Sequence, residues 1–460
     1  MAVTEGFCLH KLTKSGHCRC HTPLHCQNHD IYRVSYRVNN RVMNDRISSV
    51  ATNSLQSADR AGQTGSRHLA GEALATAMRD ARARTWALVE DLADTQWMPP
   101  LRNGVNPIAW ELAHLAWFAE FWILRGPHST APDGLVVAQL PPKIAGPDGH
   151  LDSTRLPHAA RWSTPMPSRT ALKSMLDDQL DACLQALPQY EFATPADQDQ
   201  ALYFHRLALF HEDMHNEALC WLRSALCYAQ PQGHKMPVRQ NSVQVVVSAN
   251  EVYLGCAAQE VGFAFDNERP GKCIRLEDFE IDSEPVSALE FARFVDAGGY
   301  QRAEYWPGVA GAWRLETGLK QPAHWRRNPS GQWQMRWFDQ WIDLSIGVPA
   351  MHLNAFEAEA YCLWANRALP TAAQWEHAAR SHLEFAWGHS VWEWTSDDFQ
   401  PYPGFSSGPY QEYSQPWFGD HRELRGGAFA THARMHDARY RNFFTPERSD
   451  VFTGFRTVAI

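Results

Sequence analysis

His211-Glu212-Asp213-Met214-His215-Asn216-Glu217 stands inside a long stretch of helical period, from about residue 196 to 228. A helix turns once in about 3.6 residues. His211 and His215, at i and i+4, therefore leave one face a single turn apart, the arrangement by which one helix gives two ligands to a metal. The same residues fit the H-E-x-x-H pattern of zinc proteases, in which Glu212 would act as general base. A third imidazole comes from the stretch Asn106-Pro-Ile-Ala-Trp-Glu-Leu-Ala-His114-Leu-Ala-Trp-Phe118, a helix over 108–124 whose almost unbroken apolar sequence places His114 in an interior. Three neutral imidazoles leave open positions on an ion and suit Fe(II) or Zn(II); chemistry with O2 needs iron. His205, six residues before His211, falls on another face.

Two further helices complete the first part. Leu69, Ala73, Leu74, Ala77, Ala81, Trp86, Leu88 and Leu92 form an apolar stripe that the pair Pro99-Pro100 ends, and Ser168 caps a helix reaching about residue 187. With a Pro- and Gly-containing crossover over 126–167, the four helices predict a bundle over 67–232. Beyond Pro231 the period changes. Val243, Val245, Val246, Val247, Val252 and Leu254 read as strand, and 240–460 is rich in Gly, Trp and short turns, with helices expected at about 286–297 and 354–366. The fold class is a helical bundle followed by an irregular α+β domain.

Composition narrows the function. The 460 residues carry a net charge of −9, so their mildly acidic surface repels a phosphate backbone and argues against nucleic acid. No apolar run has the roughly 18 residues of a membrane span, and the N-terminus lacks the apolar core of a signal peptide, which predicts a cytoplasmic protein. Cys183, Cys220, Cys227, Cys256, Cys273 and Cys362 lack the spacing of a disulfide framework and read as reduced thiols. The 19 Trp, 13 Tyr and 22 Phe suggest aromatic walls as well as a core. Residues 1–66 stand apart, with a net charge of +4 and Cys8, Cys18, Cys20 and Cys26 among five histidines. Their spacing does not match the common zinc patterns, and a disordered extension is expected, with Met43 as an alternative start.

The two parts together carry a resemblance. A DinB-like bundle with a W-E-L-A-H-x-x-W-F helix and an H-x-x-x-H-x-E motif, joined to a domain like the formylglycine-generating enzymes, resembles the ergothioneine sulfoxide synthase family. Asn354-Ala-Phe-Glu-Ala-Glu-Ala-Tyr-Cys-Leu-Trp364-Ala-Asn-Arg-Ala-Leu-Pro370-Thr-Ala-Ala-Gln-Trp-Glu376 is similar to that family's signature, as are Val391-Trp-Glu-Trp394-Thr-Ser, Arg425-Gly-Gly427 and Thr453-Gly-Phe-Arg456. The resemblance implies an Fe(II) held by His114, His211 and His215, with Glu217 behind them orienting an imidazole. It also implies hercynine, a trimethylated histidine betaine, as substrate, O2 as oxidant, and a new bond from a chalcogen to the imidazole C2. Ring faces suit the trimethylammonium group, which donates no hydrogen bond, and Trp394, Trp417, Phe443 and Phe444 are the candidates.

Two departures concern the second substrate. The family pattern R-N-W-D-x-P is here Arg441-Asn442-Phe443-Phe444-Thr445-Pro446, which keeps the hercynine-side Asn442 and replaces the acid of the thiol side by Phe444. Met214 stands where the family commonly has Gln. Both make the pocket less polar. With the N-P-x-x-W-E-L-x-H-x-A-W-F helix at 106–118, these features resemble a branch of the family, the selenoneine synthases, which join hercynine to a selenosugar; the alternative is C–S bond formation with γ-glutamylcysteine or cysteine. A catalytic tyrosine is implied between the W-E-W-T-S segment and the R-G-G turn, an interval that holds Tyr402, Tyr410 and Tyr413. A copper-dependent formylglycine-generating enzyme needs a late cysteine pair, and no Cys follows Cys362. A binding module that has lost its chemistry would not be expected to keep all three histidines.

Overall fold

The computed structural model describes residues 65–460 apart from Ala249 and Leu383. The expectation for the cysteine-rich tail falls outside the described residues. Four helices make up the first part: α1 (Gly71–Ala87), α2 (Ile108–Ala119), α3 (Arg169–Gln185) and α4 (Pro195–Ala225). Side-chain caps set two of the starts and a proline marks a third. Pro107 precedes α2, the Ser168 hydroxyl accepts from the Ala171 N–H at 3.3 Å, and Thr194 does the same for Asp197 at 3.2 Å with Pro195 opening α4. Every residue of α2 except Ala109 is buried, as its apolar sequence requires. Its last turn widens to a π-helical turn, Glu120–Leu124, and the Glu120 carboxylate accepts the N–H groups of Lys143, Ile144 and Ala145 in the crossover.

α1 is shorter than its apolar stripe predicts. It ends at Ala87, and Leu88, Val89 and Leu92 reach the core from turns. Arginines take over the carbonyls that a longer helix would have bonded: Arg223 donates to Leu88 O at 2.8 Å and Arg169 to Leu92 O at 2.9 Å.

The crossover holds a hairpin of β1 (His128–Thr130) and β2 (Val136–Ala138) and a one-turn helix, Asp148–Leu151. The second part is built from short strands. β3 (Gln244–Val247) pairs with β6 (Phe279–Asp282), β4 (Asn250–Leu254) with β5 (Lys272–Leu276), and β7 (Trp325–Arg327), β8 (Trp333–Trp337) and β9 (Gln340–Asp343) form a meander. The central sheet runs β12 (Asn442–Phe444), β11 (Arg422–Arg425), β10 (Trp392–Asp398), β13 (Thr453–Gly454), with β10 and β13 parallel.

Four helices lie among these strands, where two were expected: α5 (Ala288–Asp296), α6 (Val309–Thr317), α7 (Ala355–Ala365) and α8 (Ala372–Ser381). α6 buries only Ala310, so it has no apolar stripe to read. α8 carries a signal in its own sequence, the capping box of Thr371 with Gln374 after Pro370.

Buried ion pairs hold the central sheet. Arg425 lies between Glu423 at 2.7 Å and Glu376 at 3.1 Å, and Arg441 reaches Glu423 at 2.6 Å. The two parts pack on one another along α4. Glu217 receives Trp392 Nε1 at 2.6 Å and the Thr431 hydroxyl at 2.8 Å, and Arg434 pairs with Asp213 at 2.7 Å. Among the described residues the six cysteines are free, and no helix is long and apolar enough to cross a membrane.

Candidate metal centre

The three histidines of the two quoted motifs meet between α2 and α4. One ligand atom from each of His114, His211 and His215 lies within 4.8 Å of the others. Each ring is held by a different device. His114 Nδ1 sits 2.7 Å from Leu151 O, which only accepts, so Nδ1 carries the proton and the Nε2 lone pair is left free. Its ring is stacked by Trp110, one turn before it, at 5.0 Å, and by Trp117 at 5.6 Å. His211 lies flat on Phe118, with centroids 3.5 Å apart and planes 4° from parallel. His215 Nδ1 faces the Glu111 carboxylate at 3.4 Å.

Burial keeps two of the rings neutral. Burial, followed by repulsion from His215, lowers His114 to about 3, and burial with both neighbours takes His211 well below its ordinary value. Burial opposes ionisation of Glu111, yet the His215 imidazole beside it holds that carboxyl at about 2. The His211 and His215 Nε2 atoms are 3.2 Å apart, a gap that one cation spans with bonds of roughly 2.1 Å. Three imidazole nitrogens converging in one recess, with a carboxylate behind one ring, fit a divalent transition metal such as Fe(II).

Two acidic residues lie elsewhere than expected. Glu217 does not orient an imidazole, because its carboxylate is taken up by Trp392 and Thr431, and burial raises it to about 7. Glu111 stands in its place. It lies one turn before His114 on α2, so the W-E-L-A-H stretch already carried the signal. Nor is Glu212 a general base beside a metal. One residue on from His211 it faces α1, where Arg82 reaches it at 2.7 Å and Thr85 at 2.8 Å.

Of the three tyrosines, Tyr410 is the one at the cluster. Its ring lies 5.1 Å from Phe118 and 6.3 Å from His211, and with His114, Trp117, Phe118 and Trp122 it lines a small recess. Tyr413 is one step away, stacked on Phe265 at 4.5 Å with its hydroxyl 3.3 Å from that of Tyr440. Tyr402 is buried in the second core, where it accepts from Arg425 at 3.2 Å and carries the Arg441 guanidinium on its face at 4.1 Å.

The aromatic candidates also divide. Trp394 is fully buried and donates to Leu353 O at 2.8 Å, whereas Trp417 is exposed and bonds Glu412 O at 3.2 Å. On β12, alternation puts Asn442 and Phe444 on one face and Phe443 on the other, stacked on Phe399 at 4.2 Å. Phe444 carries the Arg448 guanidinium at 4.6 Å, and the same guanidinium lies 4.5 Å over Trp221. Met214 is half-buried against the core, and Trp221 lies two helical turns on along the same side of α4.

Comparison with known proteins bears on both parts. The DinB superfamily matches residues 77–219, and the Sulfatase-modifying factor enzyme 1-like domain matches 230–391 and 389–459. The hercynine oxygenase of Mycobacterium tuberculosis is 31% identical over 434 residues, covering 84% of this chain and 98% of that protein. The hercynine oxygenase of Mycolicibacterium thermoresistibile is 30% identical over 439 residues, with 83% and 94% covered. A formylglycine-generating enzyme of Streptomyces coelicolor is 27% identical over 292 residues, 47% of this chain and 89% of that one. The likeness to the formylglycine-generating enzyme spans about half of the chain, whereas that to the hercynine oxygenases runs through both the three-histidine bundle and the strand-rich part, and the chain belongs to the hercynine oxygenase family.

Proposed function

We propose that the protein is an Fe(II)- and O2-dependent synthase that joins hercynine, at its imidazole C2, to a selenosugar by a C–Se bond. The observation that carries the reading is the convergence of three imidazoles beside Tyr410 in a member of this family. His114, His211 and His215 hold the metal, which when bound supplies the one-electron chemistry with O2. Glu111 fixes the orientation of His215 through Nδ1, as Leu151 O fixes that of His114. Burial raises the Tyr410 phenol above its ordinary range, so the residue keeps its proton at neutral pH and holds it next to the reacting centre.

Asn442 is the polar contact for hercynine, with Phe444 on the same strand face. The selenium reading rests on Phe444 and Met214. Where the family has an acid, Phe444 offers an uncharged aromatic side chain, a platform suited to a sugar. A selenol ionises readily and its selenolate is a soft ligand, so the donor needs no strong base beside it. The alternative is C–S bond formation with γ-glutamylcysteine or cysteine, favoured by the family membership alone.

The test is aerobic turnover of Fe(II)-loaded protein with hercynine, offering selenosugar, γ-glutamylcysteine and cysteine in parallel, with products read by mass spectrometry. A hercynyl selenosugar adduct is expected, and a sulfoxide adduct as the main product returns the protein to sulfur chemistry. Phe444→Asp is expected to shift use towards thiols; unchanged donor use removes that position from the argument.

A further inference from the structure

Behind the Tyr410 segment lies a second cavity, of about 500 Å³, within the size range of small-molecule sites. The first turns of α4 and the segments around residues 262–269 and 406–409 enclose it. It is walled off from the histidines by rings. Phe204 packs on Trp122 at 5.2 Å, Trp122 on Phe118 at 6.2 Å, and Phe118 on His211 at 3.5 Å. Nothing in the proposed reaction uses this space.

Its walls define a ligand chemistry. Tyr203, Phe204 and Phe263 present aromatic surface. Both carboxylates at the wall are already supplied with donors: Asp199 takes Arg206 Nη1 at 2.6 Å and the Gly262 N–H, and Asp266 takes the Ser414 hydroxyl and the Gly408 N–H. Both guanidinium groups are short of acceptors. Arg269 places Nη2 on the carbonyls of Glu260 and Gly262, at 2.7 and 2.9 Å, while its Nε is buried without a partner. Arg206, 1% exposed, bonds Leu69 O and Asp199 and leaves Nη2 without one. Where the acceptors are satisfied and the donors are not, an added acceptor is what the site lacks.

We propose that this cavity binds a small aromatic carboxylate, with its ring on Tyr203, Phe204 and Phe263 and its carboxylate on the half-buried Arg269. Arg206, buried behind Asp199, adds positive charge without direct contact. The site also reports to the metal centre. The two oxygens of Asp266 hold Gly408 N and Ser414 Oγ, the two ends of the segment that carries Tyr410 and Tyr413, and Arg269 N donates to Asp266 O at 3.1 Å in the same turn. An anion on Arg269 therefore changes the charge beside the group that brackets Tyr410.

The experiment uses the full-length chain stripped of metal, so that a carboxylate cannot be captured by iron and the result stands apart from the proposed reaction. Phenylacetate and the uncharged phenylacetamide are titrated calorimetrically. Saturable binding of one phenylacetate is expected, with the amide at least about tenfold weaker and Arg269→Gln costing phenylacetate a similar factor. Gln200→Glu places a like charge at an exposed position of the rim, so it is expected to weaken phenylacetate with the fold intact. Equal affinity for acid and amide, or wild-type affinity in either variant, overturns the site. The link to the metal centre is read with 3-fluorotyrosine, the Tyr410 resonance being assigned by its loss in Tyr410→Phe. That resonance moves on saturation if Asp266 transmits occupancy, and an unmoved resonance overturns the link.

Discussion

One helix shows two opposite ways of using polar side chains. On one side of α4, His211 and His215 are pressed against Phe118 and Glu111, with ring nitrogens aimed at one another. On its other sides Glu212, Asp213 and Glu217 are each taken up, by Arg82 and Thr85, by Arg84 and Arg434, and by Trp392 and Thr431. The acidic residues lock the helix to α1 and to the second part of the chain, while the histidines are left with unspent lone pairs. The contrast teaches that a buried polar group with no partner among its neighbours points to a ligand, whereas a buried charge with several partners points to architecture.

The largest break of that contrast is on the histidine side. His211→Ala or His215→Ala is expected to abolish stoichiometric Fe(II) binding, measured by elemental analysis of the reloaded protein, with the far-ultraviolet dichroism unchanged. Metal retained at full stoichiometry in both variants removes the assignment. On the acidic side, Arg434→Ala leaves Asp213 buried with only the more distant Arg84, at 3.3 Å, and should cost about 3 kcal/mol in urea unfolding. A cost below about 1 kcal/mol means that the lock is not where the stability lies.

Glu111 sits on the boundary between the two uses. Glu111→Gln keeps the shape and removes the charge behind His215, so Fe(II) affinity against a competing chelator should fall about tenfold with little change in stability. A stability loss without an affinity loss assigns Glu111 to the architecture instead. The remaining break concerns a carboxylate with neutral partners only. Burial raises Glu357, which accepts from Tyr300 and the Asn354 N–H, from its ordinary 4.5 to about 7. Between those values the folded chain keeps a proton that the unfolded chain has released. The contribution of Glu357 to stability is thus full below about pH 4.5 and falls as pH rises to about 7. Glu357→Gln should flatten that part of the stability profile, and an unaltered slope assigns the pH dependence to other groups.

Reading ahead from sequence succeeded where period and spacing act within one element. The i,i+4 pair and the apolar W-E-L-A-H helix place His114, His211 and His215 in one recess because helical geometry sets the directions in which side chains leave. It failed where two segments distant in the chain compete for one side chain. Glu217 is drawn to Trp392 and Thr431, more than 170 residues away, and Tyr402 to Arg425 and Arg441. Choosing Tyr410 among three tyrosines needed the same tertiary knowledge, since all three lie in one irregular stretch and nothing in their spacing says which one meets Phe118.

The sequence by itself determined the bundle, the change to a strand-rich second part and the three imidazoles, because each is a local pattern whose geometry follows from backbone dihedral angles. Only the tertiary structure decided which carboxylate stands behind a ligand, which tyrosine borders the cluster, and that Phe444 carries Arg448. Those choices are settled by burial and by competition for partners, and a chain has neither until it has folded.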